Sequence, residues 1–264
     1  MLKQNEVFHN QTKTLLKENK KTAGAWLQLA SPITAEIIAK AGYDWALIDM
    51  EHGPGDIMTL LTQCQALNAY DVVPLVRTPS NDHVVIKRIL DAGAYGILVP
   101  HVNSAEEARK AVAAAKYPPM GIRGIAPSPR AGGFNMNGKN YLEHANEQTL
   151  VLAAVETPEA LKKIHEIVAV EGLDGIFIGP MDLATSMNYF ANPSAQEVQE
   201  AIKTIEEVVL NSNKFLGTVS GSMEEAFDLY EKGYQFVVSM SDSGSLGKLA
   251  LENVKKFIGK YPTR

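Results

Sequence analysis

Short apolar runs rich in β-branched residues alternate along the chain with longer segments whose apolar residues recur at helical spacing. This alternation predicts βα units and a parallel sheet. We identify eight candidate strands. They span residues 24–29, 45–50, 73–77, 96–102, 150–156, 175–179, 215–219 and 236–240.

Helical periodicity fills the intervals between these strands. The candidate helices span residues 32–41, 58–67, 83–92, 105–115, 158–168, 195–210, 223–233 and 246–259. The pattern predicts an α/β fold, a (β/α)8 TIM barrel with one domain over residues 1–264 and an N-terminal helical extension at 1–20. A doubly wound open sheet is the alternative, disfavoured because no glycine-rich dinucleotide fingerprint follows the first strand.

One long loop, residues 117–148, separates the fourth and fifth strands and lacks a clear apolar period. Loops of this length in compact domains are often lids or binding segments. Its glycines, Arg123 and Arg130 suit an anion, and part of it is expected to fold over the rim where barrel active sites lie. A solvated surface loop is the equal alternative.

Composition narrows the class of partner. The net charge is -5 and the basic residues are scattered, so we expect no nucleic-acid or membrane partner and instead a small-molecule substrate. Residues 1–20 contain no apolar core of secretory length, which favours a cytoplasmic location. The single cysteine, Cys64, is expected to be a buried, inert thiol.

Two acids follow neighbouring candidate strands. Glu156 ends the fifth strand and Asp182 follows the sixth. Adjacent parallel strands lie about 5 Å apart, so these carboxylates are placed to share a hard divalent cation. Taken one at a time, each acid has a simpler explanation that is equally good. Asp182 would be a helix N-cap, and Glu156 would complement the dipole of the next helix.

Other polar residues end neighbouring strands. The second strand ends through Asp49, Glu51 and His52, Arg77 ends the third, and His101 lies at the end of the fourth. Because the carboxyl ends of barrel strands meet at one rim, these groups predict a pocket for a small anionic ligand. The simpler explanations are that Arg77 only forms an ion pair with a nearby acid, and that each histidine is an imidazole whose hydrogen bonds are satisfied within the fold.

Several motifs together carry a resemblance to a known family. They are WALIDMEH at 45–52, PLVR at 74–77, YPPMGIRG at 117–124, VET at 155–157 and GIFIGPMDL at 175–183. From residue 24 to the last helix, the chain resembles the metal-dependent 2-keto-3-deoxy-sugar-acid and 4-hydroxy-2-oxoheptanedioate aldolases. The resemblance implies a lyase that cleaves or forms a 2-oxo-4-hydroxy acid from pyruvate and an aldehyde.

The resemblance also implies roles for individual residues. Glu156 and Asp182 would bind Mg²⁺ or Mn²⁺, and Arg77 would stabilise the enolate oxygen. His52 would serve as the base, and the backbone N–H of Met181 would hold the pyruvate carboxylate.

Two acids, Asp49 and Asp91, remain candidates for the residue that orients His52. Asp91 precedes the fourth strand, near the opposite rim, so it would contribute across a subunit contact. Relatives are hexamers built from dimers that exchange the last helix, here residues 246–259. Ala154 stands where many relatives place a substrate-contacting Gln, which leaves the substrate open.

Two further functions remain as alternatives. A Schiff-base aldolase would need a strand lysine, and Lys214 lies just before its strand. A non-catalytic barrel that binds a 2-oxo acid as a sensor is the second, suggested by Ala154.

Overall fold

The computed structural model describes residues 8–136 and 138–263, and within these ranges eight parallel strands close into one barrel. Each strand pairs with the next along the chain, and the eighth pairs with the first. The strands are β1 Thr22–Leu27, β2 Trp45–Asp49, β3 Val73–Arg77, β4 Gly96–Val99, β5 Leu150–Val155, β6 Gly175–Ile178, β7 Phe215–Val219 and β8 Phe236–Ser241. The predicted (β/α)8 fold is confirmed.

Helices surround the barrel. They are α1 Gln11–Lys17, α2 Pro32–Ala41, α3 Ile57–Asn68, α4 His83–Asp91, α5 Ala105–Ala115, α6 Gly138–Gln148, α7 Pro158–Lys162, α8 Ile164–Val168, α9 Pro180–Ser186, α10 Gln196–Leu210, α11 Met223–Glu231 and α12 Asp242–Lys260. The helix expected at 158–168 is divided into α7 and α8 at Lys163. The expected extension contributes α1, while residues 1–7 lie outside the described residues.

Short polar side chains set where many helices begin. Each accepts a hydrogen bond from a backbone N–H of the first turn, a group that has no acceptor inside the helix. These N-cap residues are Asn10, Ser31, Asp56, Asp82, Ser104, Thr157, Ser222 and Ser241.

The core has two layers, because alternate strand residues point into the barrel and out towards the helices. The inner layer is built from large side chains, among them Trp45 stacked on Phe236 with 3.6 Å between ring centroids. Gly24 leaves the space that the Trp45 ring occupies. The outer layer, between strands and helices, is mostly Ala, Val, Ile and Leu.

The segment 117–148 lies at the N-terminal rim of the barrel, so the expectation of a lid over the active rim is wrong for this chain's own barrel. It follows α5, which has already returned to that rim, and α6 occupies its last part. Both arginines of this segment form hydrogen bonds within the chain. Arg123 donates to Asp91 at 2.6 Å, and Arg130 donates to the carbonyl of Ala92 at 3.2 Å.

No helix among the described residues is long and apolar enough to cross a membrane. Cys64 is buried, and burial raises the pKa of its thiol to about 12, in keeping with an inert side chain.

Two buried lysines lie together at the N-terminal rim. Lys116 Nζ donates to the carbonyls of Asn146 at 2.6 Å and Thr149 at 2.9 Å. Lys13 Nζ shares the Thr149 carbonyl and pairs with Asp174 at 2.8 Å. Burial, reinforced by the charge of Lys13, lowers the pKa of Lys116 to about 7.

We expect this buried amine to make stability depend on pH. The folded-state pKa of Lys116 is about 7, whereas an unfolded lysine titrates near roughly 10.4. Between these values the unfolded chain binds the extra proton, so the free energy of unfolding rises with pH, by roughly 2 kcal/mol from pH 7 to 9. Lys116→Met should lose that part of the rise in urea unfolding measured at both pH values.

Lys110→Met is the matched control, because Lys110 is exposed on α5, the helix that Lys116 directly follows. An unchanged rise in Lys116→Met would contradict the expectation.

Candidate active site

Strand alternation brings three charged residues to the C-terminal rim, inside the barrel. Asp49 follows the inward-pointing Leu47 by two positions, and Arg77 follows Leu75 in the same way. Glu156 continues the inward positions of β5 one residue beyond its end. All three are buried.

Asp49 and Arg77 form a bidentate ion pair between β2 and β3. Arg77 Nε donates to Asp49 Oδ1 at 3.0 Å, and Nη2 donates to Oδ2 at 2.6 Å. Burial by itself would raise the pKa of Asp49, but the hydrogen bonds and charge of Arg77 outweigh it and hold that pKa below its ordinary value. The planar guanidinium is therefore held in one orientation.

Further contacts extend this pair over the rim. Arg77 Nη1 lies 2.9 Å from Glu51 Oε2, and its Cζ lies 4.7 Å from the centroid of the Trp26 ring. Asp49 accepts from Trp26 Nε1 at 3.2 Å. It also accepts from the backbone N–H groups of Glu51 and His52 at 3.1 and 3.2 Å. The loop after β2 is thus anchored on one carboxylate.

Glu156 is buried on the other side of the rim. Its Oε1 accepts from the backbone N–H of His101 at 2.7 Å. Burial raises the pKa of Glu156, the His101 contacts oppose this, and the negative charges of Asp182 and Glu51 add to the rise. His101 has a φ of 51°, in the left-handed region that is unfavourable for a non-glycine residue. Strained backbone at such a contact is typical of functional sites.

Neither of the simpler explanations for the two acids holds. The N-cap of α9 is Gly179, and Asp182 lies exposed within the first turn. The N-cap of α7 is Thr157, whereas the Glu156 carboxylate turns to His101. A Cβ at residue 179 would lie 2.6 Å from Glu156 Oε2, so the glycine leaves room for this carboxylate.

The donor set fits a hard divalent cation. Within residues 8–136 and 138–263, no group of three or more His, Cys, Asp or Glu forms a ready-made metal cage. Mg²⁺ keeps several waters and is commonly bound by one or two carboxylates plus substrate oxygens. Glu156, with neighbouring charge from Asp182 and a raised pKa, suits such an open site.

The remaining predicted residues are placed differently. His52 is exposed on the loop after β2, and Met181 is half exposed in the first turn of α9. Ala154 is buried and faces the barrel interior, where it offers only a methyl group. Asp91 ends α4 at the opposite rim, paired with Arg123.

Lys214 is also remote from the active rim. It precedes β7, and its Nζ donates to the carbonyls of Val170 at 3.0 Å and Leu173 at 2.8 Å. The structure therefore gives the Schiff-base alternative no lysine at this position.

Sequence reasoning gave no role to Gln28, Gly179 or the backbone of His101. For Gln28 a signal existed, because it lies two residues after Trp26 and so shares its inward face. The hydrogen bond from the backbone N–H of His101 to Glu156 joins residues 55 positions apart, so no local sequence pattern indicates it.

Comparison with known proteins gives consistent results. Residues 22–248 match the HpcH/HpaI aldolase/citrate lyase family. The chain is 43% identical over 244 residues to a 4-hydroxy-2-oxo-heptane-1,7-dioate aldolase of Escherichia coli strain ATCC 8739, covering 92% of this chain and 93% of that relative.

Solved structures agree. A HpcH/HpaI aldolase/citrate lyase family protein from Burkholderia cenocepacia J2315 matches with a TM-score of 0.89 at 31% identity, over 94% of this chain and 99% of that one. The HpcH/HpaI aldolase from Desulfitobacterium hafniense DCB-2 matches with a TM-score of 0.87 at 27% identity, over 93% and 96% of the two chains.

This chain therefore belongs to the HpcH/HpaI aldolase/citrate lyase family. It is an aldolase, a carbon–carbon lyase of the pyruvate type, and the predicted enzyme class is confirmed. Dependence on a divalent metal is general in this family, and a small oxo acid and an aldehyde fit it as substrates.

We expect Asp49→Ala to destabilise the fold. The change leaves Arg77 buried with Glu51 as its remaining carboxylate, and breaking a buried pair from one side costs about 3 kcal/mol. Urea unfolding measures the loss. Asp228→Ala, at an exposed position of α11, should change stability by less than about 0.5 kcal/mol, and equal losses in the two variants would argue against a structural ion pair.

Proposed function

We propose that this aldolase works with Mg²⁺ or Mn²⁺ held by Glu156 and Asp182, and that it cleaves or forms 2-oxo-4-hydroxy acids from pyruvate and an aldehyde. The observation that carries the metal assignment is the buried Glu156 carboxylate, whose pKa is raised by burial and by neighbouring negative charge. A cation beside Glu156 would offset both the burial of its negative charge and the repulsion from the neighbouring negative charges. When bound, the ion supplies Lewis-acid polarisation of a ketone oxygen.

Arg77 is the residue proposed to stabilise the enolate oxygen of pyruvate. Two of its N–H groups donate to Asp49, and Nη1 lies 2.9 Å from Glu51 Oε2. A guanidinium has about five donors, so others are left for substrate. Because Asp49 and Glu51 already hold the group in place, little reorganisation is needed as charge develops. One such donor is worth roughly 3 kcal/mol of transition-state stabilisation.

His52 is the proposed base, directly or through water. It lies exposed on the loop that Asp49 anchors, next to Glu51. Imidazole is the side chain most often used for proton transfer near neutral pH. Asp49 bonds the backbone of His52, so it sets the position of the loop. Asp91 would reach an active rim only from a neighbouring copy, because it lies at the far rim of its own barrel.

The backbone N–H of Met181 is the proposed partner of the pyruvate carboxylate. It lies in the first turn of α9, where N–H groups have no acceptor within the helix. The relatives at 43% identity are named for 4-hydroxy-2-oxo-heptane-1,7-dioate, a 2-oxo-4-hydroxy acid. We propose that this chain acts on the same class of compound.

The last helix supports an oligomer. Only the first turn of α12 contains a buried residue, Asp242, and the residues from Gly244 to Lys260 are exposed. Several of the exposed ones are large and apolar, including Leu249 at 57% and Phe257 at 51%. Exposed apolar surface on this scale marks an interface. We propose that α12 packs on a second copy, in dimers that assemble into a hexamer.

The metal-dependent activity can be tested directly. Pyruvate and glycolaldehyde with Mn²⁺ should give a 2-oxo-4-hydroxy acid, and EDTA should abolish the reaction. Glu156→Gln removes a charged ligand and should lower the Mn²⁺-stimulated rate by about 100-fold. Glu159→Gln, at an exposed glutamate paired with Lys163, is the matched control. Full stimulation in Glu156→Gln would refute the ligand assignment.

The oligomer is tested by mass. The double substitution Leu249→Glu with Phe257→Glu places two charges on the apolar part of α12, where burial at an interface would be costly. Light scattering after size exclusion should show a smaller assembly than the unmodified protein. Lys203→Glu, at an exposed position of α10, is the control. A monomeric unmodified protein would contradict helix exchange.

A further inference from the structure

Gln28 lies at the active rim without a role in the chemistry above. It follows the last residue of β1 and shares the inward side of the barrel with Trp26 and Gly24, two and four positions before it. Its side chain is half-buried. The backbone N–H of Gln28 donates to the buried carboxylate of Asp242 at 2.8 Å, which holds this end of β1 in place.

The orientation of the Gln28 amide follows from its neighbours. Its Nε2 lies 3.4 Å from Asp49 Oδ2 and its Oε1 accepts from Ser243 Oγ at 2.8 Å. The pKa of Asp49 is held low, so its carboxylate can only accept hydrogen bonds. The amide nitrogen must therefore be on the Asp49 side, and the Ser243 hydroxyl must donate to the oxygen.

The contact between Gln28 and Asp49 is weak. The same Asp49 oxygen accepts from Arg77 Nη2 at 2.6 Å and from Trp26 Nε1 at 3.2 Å, and the Gln28 contact is longer than both. It also exceeds the usual N–H···O range of about 2.7–3.2 Å. Asp49 is thus held by other groups, and the N–H groups of Gln28 are available to a ligand.

The position of Gln28 around the barrel corresponds to the aldehyde end of the substrate. The strands follow chain order in the ring, so β1 lies opposite β5. Under the proposed function, the oxo acid would be held by Glu156 and Asp182 after β5 and β6, with its enolate oxygen at Arg77 after β3. This arrangement leaves the β1 side of the rim for the aldehyde. On β5 itself, Ala154 offers no polar group.

Charge on this side favours a neutral acceptor group. Two carboxylates, Asp49 and Glu51, surround the single guanidinium of Arg77. A second carboxylate on the aldehyde would meet this excess of negative charge, whereas a hydroxyl oxygen would accept from an amide N–H without that cost.

We propose that Gln28 determines the choice of aldehyde, by donating from Nε2 to a hydroxyl oxygen on the carbon next to the aldehyde carbon. Short 2-hydroxy aldehydes are then preferred over alkyl aldehydes of equal size. This inference rests on the proposed pyruvate aldolase function.

The test compares glycolaldehyde with propanal, which have the same number of non-hydrogen atoms, each with pyruvate and Mn²⁺. The readout is the ratio of their kcat/KM values. The unmodified protein should prefer glycolaldehyde by about tenfold, and Gln28→Met, which keeps the length of the side chain and removes the amide, should reduce the ratio to about twofold. Gln196→Met is the matched control, because the exposed Gln196 amide donates to Glu200 at 2.9 Å on α10.

A second variant tests the same contact without changing Gln28. Ser243→Ala removes the donor that holds Oε1, so the amide can rotate, and the ratio should fall by about threefold. Thermal melts establish that each variant is folded. A ratio unchanged in both Gln28→Met and Ser243→Ala would overturn the role of Gln28.

Exchange of the pyruvate methyl protons with D₂O, followed by NMR with Mn²⁺ and no aldehyde, separates this inference from the proposed function. No exchange in the unmodified protein would overturn the proposed function and this inference with it. Exchange together with an unchanged aldehyde ratio in the folded variants would overturn the inference alone.

Discussion

The buried ion pair between Asp49 and Arg77 is the interaction on which the active rim depends. Removing two charges from water is costly, and the cost is offset here by two parallel hydrogen bonds and a low-dielectric surrounding. The pair joins β2 to β3, and through the same carboxylate it positions Trp26 and the loop that carries His52. Losing it would release several parts of the site together.

The opposite side of the rim has a different electrostatic character. Asp49 has a guanidinium partner and a lowered pKa, whereas Glu156 has backbone and histidine contacts and a raised pKa. The charge of Asp49 is therefore balanced by Arg77 within the protein, whereas Glu156 has no such partner among the described residues and a cation can balance its charge. Under the proposed function, this asymmetry would separate the metal at Glu156 from the developing enolate at Arg77.

The N-terminal rim has a structural role. There α1 and the segment 117–148, which includes α6, close the barrel around the buried lysines Lys13 and Lys116. This division matches the general behaviour of the fold, in which the C-terminal rim carries the chemistry and the other rim contributes stability. The ion pair between Arg123 and Asp91 also lies at this rim, and both residues come from the same copy of the chain.

The sequence by itself determined the strands, most helices and the rim positions of Asp49, Arg77 and Glu156, because each depends on local periodicity and on where a strand ends. Tertiary structure decided which of these groups meet. Closure of β8 on β1 brings Ser243 to Gln28, 215 residues away. The return of α5 to the N-terminal rim placed the segment 117–148 away from the pocket, and no local pattern contains either fact.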